Sequence, residues 1–145
     1  ANVNTTAVGN VGDGEDDLMT YSMPANSFSA ANKGVHIKAW GTTANNANAK
    51  TIILYFGTTA IITNALTASI TGVWHVEADV YSTGTDAQQY VALLSTVGTV
   101  GVALLDPEQG TSAQDDGAAI TIKCTGTATD NNDIVQEGMS IVFIN

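Results

Sequence analysis

Chemistry in this chain would have to start from few residues. The only imidazoles are His36 and His75. Glu77 stands two positions after His75, a spacing that puts both side chains on one side of an extended strand. A neighbouring hydroxyl would then complete a nucleophile, base and orienting acid. No G-x-S-x-G turn occurs to present that hydroxyl. A histidine beside a carboxylate on an exposed or interface surface is the simpler reading, and His36 reads the same way. The single cysteine, Cys124, follows Lys123, whose side chain would point to the opposite face of a strand. A buried, unreactive thiol is expected there.

Carboxylates cluster at Glu15-Asp16-Asp17, Glu77/Asp79 and Asp115-Asp116. A glycosidase would set such a pair across an aromatic-lined cleft, but aromatics make up only 6% of the chain. The segments Asp13–Asp17 and Asp130–Asp133 are rich in oxygen donors. Neither carries the D-x-[DN]-x-[DN]-G run and distant Glu of a calcium loop, so both read as solvated turns. Histidine and cysteine are too few for a zinc cluster. Gly9-x-x-Gly12-x-Gly14 leads into a strand rather than the helix a phosphate cradle needs. No catalytic residue, metal site or cofactor is expected.

The elements that would position these residues are strands. The chain has 145 residues, enough for one domain. It carries four lysines, no arginine and 14 Asp plus Glu, a formal net charge of −10. Nucleic-acid binding through phosphate contacts and charge attraction to anionic membranes are both excluded by that balance. No run reaches the roughly 18–20 apolar residues of a membrane-spanning helix. Residues Ala1–Gly12 lack the basic end and apolar block of a signal peptide. Charged residues are only 12% while hydrophobic ones are 44%, so Thr, Asn, Ser and Gly must supply the polar surface.

Turn residues recur every 8–14 positions, the spacing of an all-β sandwich or barrel. Strands are expected at Asp17–Met23, Val35–Trp40, Thr51–Phe56, Ala60–Thr63, Val73–Tyr81, Tyr90–Val97, Thr99–Leu105, Ala119–Thr127 and Met139–Phe143. In Val73–Tyr81 the residues Trp74, Val76, Ala78 and Val80 face one way, and His75, Glu77, Asp79 and Tyr81 the other. Asp106–Gly117, with Pro107 and Gly110, reads as an acidic loop, and Gly41–Ala49 as an Asn-rich one. About nine strands in this length fit an antiparallel β-sandwich of jelly-roll type. A closed barrel and an immunoglobulin-like sandwich are the alternatives, the latter without its Cys–Trp–Cys core. Residues 1–12 are expected to be an arm or first strand, and 13–145 a single sandwich domain.

Three segments carry a resemblance. They are Gly12-Asp13-Gly14-Glu15-Asp16-Asp17-Leu18-Met19-Thr20-Tyr21-Ser22-Met23-Pro24-Ala25, then Ala39-Trp40-Gly41-Thr42-Thr43-Ala44-Asn45-Asn46-Ala47-Asn48-Ala49-Lys50 with the strand to Phe56 and Gly57, and finally Asn132-Asp133-Ile134-Val135-Gln136-Glu137-Gly138-Met139. Together, and with Trp74 on a central strand, they resemble a module of phage virion proteins, found in tail-fibre and spike tips and in small capsid-surface proteins. The resemblance implies a β-sandwich that assembles as a trimer on the virion surface in a structural or attachment role. It implies no catalytic residue.

The expected function is therefore a non-enzymatic virion-surface protein, a homotrimer that decorates the capsid and contacts other virion proteins. Decoration is preferred because no shaft or coiled coil is visible in these residues. The alternative is the receptor-binding tip of a tail fibre or spike, with a host-surface glycan as ligand. Trp40, His75, Tyr81 and Tyr90 are the expected subunit contacts, since aromatic residues are enriched there. For a glycan, Asn45 and Asn46 would supply amide contacts and Trp40 a stacking surface.

Overall fold

The structure is a computed structural model that describes residues 1–66, 72–98 and 103–144. Eleven strands follow one another among these residues: β1 (Asn2–Asn4), β2 (Val8–Gly9), β3 (Gly14–Met23), β4 (Gly34–Thr43), β5 (Lys50–Phe56), β6 (Thr59–Leu66), β7 (Gly72–Gly84), β8 (Ala87–Gly98), β9 (Ala103–Ser112), β10 (Ile120–Ala128) and β11 (Ile134–Ile144). The nine expected strands correspond to β3 through β11. The two short additions, β1 and β2, both pair with β11 of the same chain. Of the expected strand Thr99–Leu105, residues 99–102 lie outside the described part, and β9 begins at Ala103.

All pairings are antiparallel and form two sheets. The large sheet has the order β1-β11-β4-β7-β8-β9, with β2 also on β11, and the small sheet has the order β3-β10-β5-β6. The pairs nest. β5 pairs with β6, β4 with β7, β3 with β10 and β1 with β11. The chain thus closes on itself from its middle outward, the winding of a jelly roll. Gly57, at φ +60°, makes the innermost turn between β5 and β6, where a side chain would be strained. The hairpin β8–β9 is inserted between β7 and β10 and widens the large sheet.

Burial follows the period of two. In β4, β5 and β7 alternate residues are buried, and their apolar side chains meet those of the facing sheet. Trp74, Phe56, Ile37, Ile52, Leu54, Ile61, Ile62 and Leu94 have no exposed surface, each contributing on the order of 1.5–3 kcal/mol. Phe28 stacks on Phe56 with ring centroids 5.7 Å apart. Cys124 is in this core, as expected, and burial pushes its thiol up to about 12. A thiol-specific reagent at pH 8 is therefore expected to label the native protein at the rate of global opening only. Labelling of the native chain as fast as that of the urea-unfolded chain would show Cys124 to be accessible.

One segment departs from expectation. Asp106–Ser112 is not part of a loop but the second half of β9. Pro107 and Gly110 are tolerated because β9 is an edge strand, where a missing N–H breaks no ladder on the outer side. At Gly110 a Cβ would come within 2.5 Å of the Tyr90 hydroxyl, so the glycine makes room for that ring. The acidity is consequently not confined to turns. Glu15, Asp16 and Asp17 lie on β3, and Asp106 and Glu108 on β9, each strand forming an edge of its sheet. Charges there oppose pairing with another chain.

The sheet edges are also covered from within. Gln136, fully buried at a bulge of β11, accepts the Met19 N–H of edge strand β3 at 2.9 Å. Asp16 accepts the Val11 N–H at 2.8 Å. Across the opposite seam, Asn64 of β6 donates to Asp106 of β9 at 2.6 Å, and Thr59 meets Ser112 at 3.0 Å. Scarce lysines suggest that the edges need an oligomer to hide them. The chain instead caps part of them with its own side chains.

Candidate functional site

Alternation leaves each sheet with one face turned away from the core, and the two outer faces differ in chemistry. Register brings five residues of β4 beside five of β7. Thr42 is opposite Val73, Trp40 opposite His75, Lys38 opposite Glu77, His36 opposite Asp79, and Gly34 opposite Tyr81. β8 continues these rows with Val97, Ser95, Leu93, Val91 and Gln89. On the other side Ser140 and Val142 of β11 extend two rows, and Val3 of β1 extends one. Of the seven exposed large hydrophobic residues among those described, six lie in these strands: Val3, Val73, Tyr81, Val91, Val97 and Val142. Val73 and Val97, directly opposite one another, are 54% and 61% exposed.

Two aromatic rings cover glycines on this face. A Cβ at Gly138 would lie 2.1 Å from the Trp40 ring, and one at Gly34 would lie 2.6 Å from the Tyr81 ring. Each glycine is the cross-strand partner of its aromatic residue, so the missing side chain lets the ring lie across the neighbouring strand.

Between the rings runs a line of charges. His36 Nδ1 is 2.6 Å from Asp79 Oδ1, Lys38 Nζ is 2.7 Å from Glu77 Oε1, and His75 Nε2 is 3.8 Å from the same Glu77 oxygen. The hydrogen bond from Lys38 holds the Glu77 carboxyl below its ordinary value, against a smaller opposing effect of burial. The Ser95 hydroxyl, in the His75 row, donates to the His75 main-chain oxygen at 3.5 Å. β7 and β8 are interior strands, so their N–H groups are used by the ladders and do not converge to hold an oxyanion. Among the described residues no group of three His, Cys, Asp or Glu is placed to hold a metal ion.

The outer face of the small sheet is polar. Thr125 and Tyr55 both donate to Glu15 Oε1, at 2.7 and 3.1 Å. Lys123 is 2.6 Å from Asp17 and 5.4 Å from the Tyr55 ring centroid. Thr20, Ser22 and Thr121 fill neighbouring positions. None of the exposed large hydrophobic residues among those described lies in a strand of this sheet.

The structure thus gathers three of the six expected contact residues, Trp40, His75 and Tyr81, on one face. Tyr90 differs. It points inward, half-buried against the core, because β8 alternates with Gln88, Ala92, Leu94 and Thr96 inside. Asn45 is exposed on the loop after β4. Asn46 is consumed by the fold. Its amide donates to Asp133 and its oxygen accepts Lys50 Nζ at 2.7 Å. Asn48 donates to Asp130 and Asp133 at 2.9 and 2.8 Å. The oxygen-rich segment Asp130–Asp133 is therefore the anchor of the Asn-rich loop. Buried Asn10 completes the anchor by bonding Asp130 and Ile134. Sequence reasoning missed the pairs His36–Asp79 and Lys38–Glu77. Alternation announced which side each residue faces, but no local signal announced the register.

No protein-family model matches the chain. No curated protein matches it. Among solved structures it is similar to the CBM2 module of Lactobacillus casei BL23 phage J-1 evolved Dit, at 10% identity and a TM-score of 0.42, covering 84% of this chain and 66% of that one. The chain thus spans slightly under two thirds of that structure. It is also similar to the metal-free lectin I-B4 from Griffonia simplicifolia, at 8% identity and a TM-score of 0.40, covering 99% and 91%. Peanut lectin with a 9mer peptide matches at 8% identity and a TM-score of 0.32, covering 97% and 92%.

Proposed function

We propose that this chain is a non-enzymatic structural domain of a phage virion surface, and that it works as a homo-oligomer, a trimer in the first instance. Capsid decoration is the first reading and the tip of a tail fibre or spike the alternative. The observation that supports assembly is the contrast between the two outer faces. Thr, Ser and paired charges cover the small sheet, as solvent requires. Exposed valines, two aromatic rings and paired charges cover the large one, the composition of a contact surface. The face also carries charges of both signs in pairs, with Lys38 against Glu77 and the two histidines beside Glu77 and Asp79. Elsewhere a copy of a chain with net charge −10 is repelled. The virion assignment is supported by the three resembling segments.

The face is large enough. Six strands about 4.8 Å apart and a 13-residue β7 at about 3.3 Å per residue span roughly 1,000 Å². A standard interface takes about 800 Å² from each partner. Light scattering after size exclusion is expected to report an oligomer at micromolar concentration. Paired substitutions Val73→Asp and Val97→Asp are expected to weaken it by about 2 kcal/mol or more, roughly 30-fold, by burying unpaired charge. Their circular dichroism should match the parent. A parent chain that is monomeric at that concentration would overturn the reading. Antibody labelling of virions separates the two locations, by capsid shell or tail.

A further inference from the structure

Three loops meet at one end of the sandwich: residues 24–33 between β3 and β4, 85–86 between β7 and β8, and 113–119 between β9 and β10. A cleft of about 470 Å³ lies among them, within the range of small-molecule sites. Its walls are tied by one buried residue, Asp116. The Asp116 carboxylate accepts Gln88 Nε2 at 2.8 Å and the Asp86 N–H at 2.9 Å. Its own N–H donates to Asp86 Oδ1 at 2.8 Å, and its carbonyl accepts the Asn26 N–H at 2.8 Å. All three loops are thereby held without help from a ligand, so little ordering would be lost on binding.

What remains is a set of unused polar groups beside two exposed alanines. The second carboxylate oxygens of Asp86 and Asp115, the hydroxyls of Ser29 and Thr85, and the Asn26 amide line the cleft without a side-chain partner among the described residues. Ala30 and Ala31, both exposed, supply the apolar part, while the Phe28 ring behind them is buried in the core. We propose that this cleft binds one or two units of a neutral saccharide. Sugar hydroxyls donate to the free carboxylate oxygens in charge-assisted bonds, and accept from Ser29, Thr85 and Asn26. The C–H side of the ring has the exposed Ala30 and Ala31 surface to lie on. Among the described residues no cation lines the cleft, so a phosphate or an acidic sugar would meet uncompensated carboxylates. The inference stands apart from assembly, because the cleft is on loops and not on the large-sheet face. It also moves the ligand away from the Asn-rich loop, where Asn46 is already engaged.

The test is a screen of the intact chain on an array of neutral saccharides, with calorimetry on the hits in low and high salt. Binding is expected in both, since a neutral ligand is indifferent to screening. Ala31→Trp, which fills the cleft from an exposed position, should abolish binding. Asp115→Asn, which keeps the bond to the Gly117 N–H, should weaken it about tenfold. Both variants should keep the parent melting temperature and oligomeric state, and Trp40→Ala should bind as the parent does. The proposal is overturned by an array without neutral binders at millimolar concentration. Undiminished binding by Ala31→Trp overturns it too, as does binding that high salt removes or binding that Trp40→Ala removes.

Discussion

Asp133→Ala is expected to lower the stability of this protein by at least about 3 kcal/mol, read as a shift in the urea midpoint with indole fluorescence. Asp133 is 1% exposed. Its carboxylate accepts side-chain bonds from Asn46 and Asn48 and the N–H of Asp130. Removing it takes the acceptor from the Asn46 amide and the Asp130 N–H, leaves Asn48 with its bond to Asp130 alone, and deprives buried Lys50 of a stabilising charge. Each buried donor left unpaired costs about 1–3 kcal/mol, and an uncompensated buried charge costs more.

The same residue makes stability depend on pH. Burial alone would raise the Asp133 carboxyl. The hydrogen bonds from Asn48, Asn46 and Asp130, with Lys50 nearby, outweigh burial and hold it below its ordinary value. A group depressed in the folded state stabilises fully above its unfolded pKa, about 4, and loses that contribution as pH falls through the folded value. Urea midpoints should therefore drop below about pH 4, and Asp133→Asn, which cannot titrate, should show a shallower drop. A parallel acid dependence in the two proteins would remove Asp133 as its source.

Gly41→Ala should be at least as damaging. A Cβ at Gly41 would lie 1.9 Å from the Val135 carbonyl oxygen, and 2.9 Å from both Gln136 Cα and the Trp74 ring. Two of these three atoms are backbone of β11, which cannot retreat without opening its ladder to β4. A cost of about 3 kcal/mol or more is expected, or failure to accumulate as soluble protein. Gly84→Ala is the control. Nothing lies within 4 Å of a Cβ there, and a change of less than about 1 kcal/mol is expected. Equal stability of Gly41→Ala and the parent would mean that β4 and β11 are not packed as described.

How far the residues alone lead can be judged at particular strands. β7 was legible because its two faces differ: Trp74, Val76, Ala78 and Val80 against His75, Glu77, Asp79 and Tyr81. β8 was not, because both of its faces are apolar. Tyr90, Ala92 and Leu94 alternate with Val91, Leu93 and Val97, and nothing local says which set is inside. Tyr90 was accordingly expected outward and lies inward. β9 was misread at Asp106–Ser112 because Pro, Gly and acidic residues are turn formers, while an edge strand accepts them.

The amino-acid order by itself determined the all-β class, the place of every expected strand but β9, the buried thiol and the outward side of Trp40, His75 and Tyr81. These follow from the period of two, a property each strand carries regardless of its neighbours. Only the tertiary structure decided which strands pair, and hence everything that needs register. The lines His36–Asp79 and Lys38–Glu77, the rings over Gly34 and Gly138, the Asp133 anchor of the Asn-rich loop and the cleft tied by Asp116 all join residues distant in sequence. Their energy is set by nested pairing across the whole chain, which no local window contains.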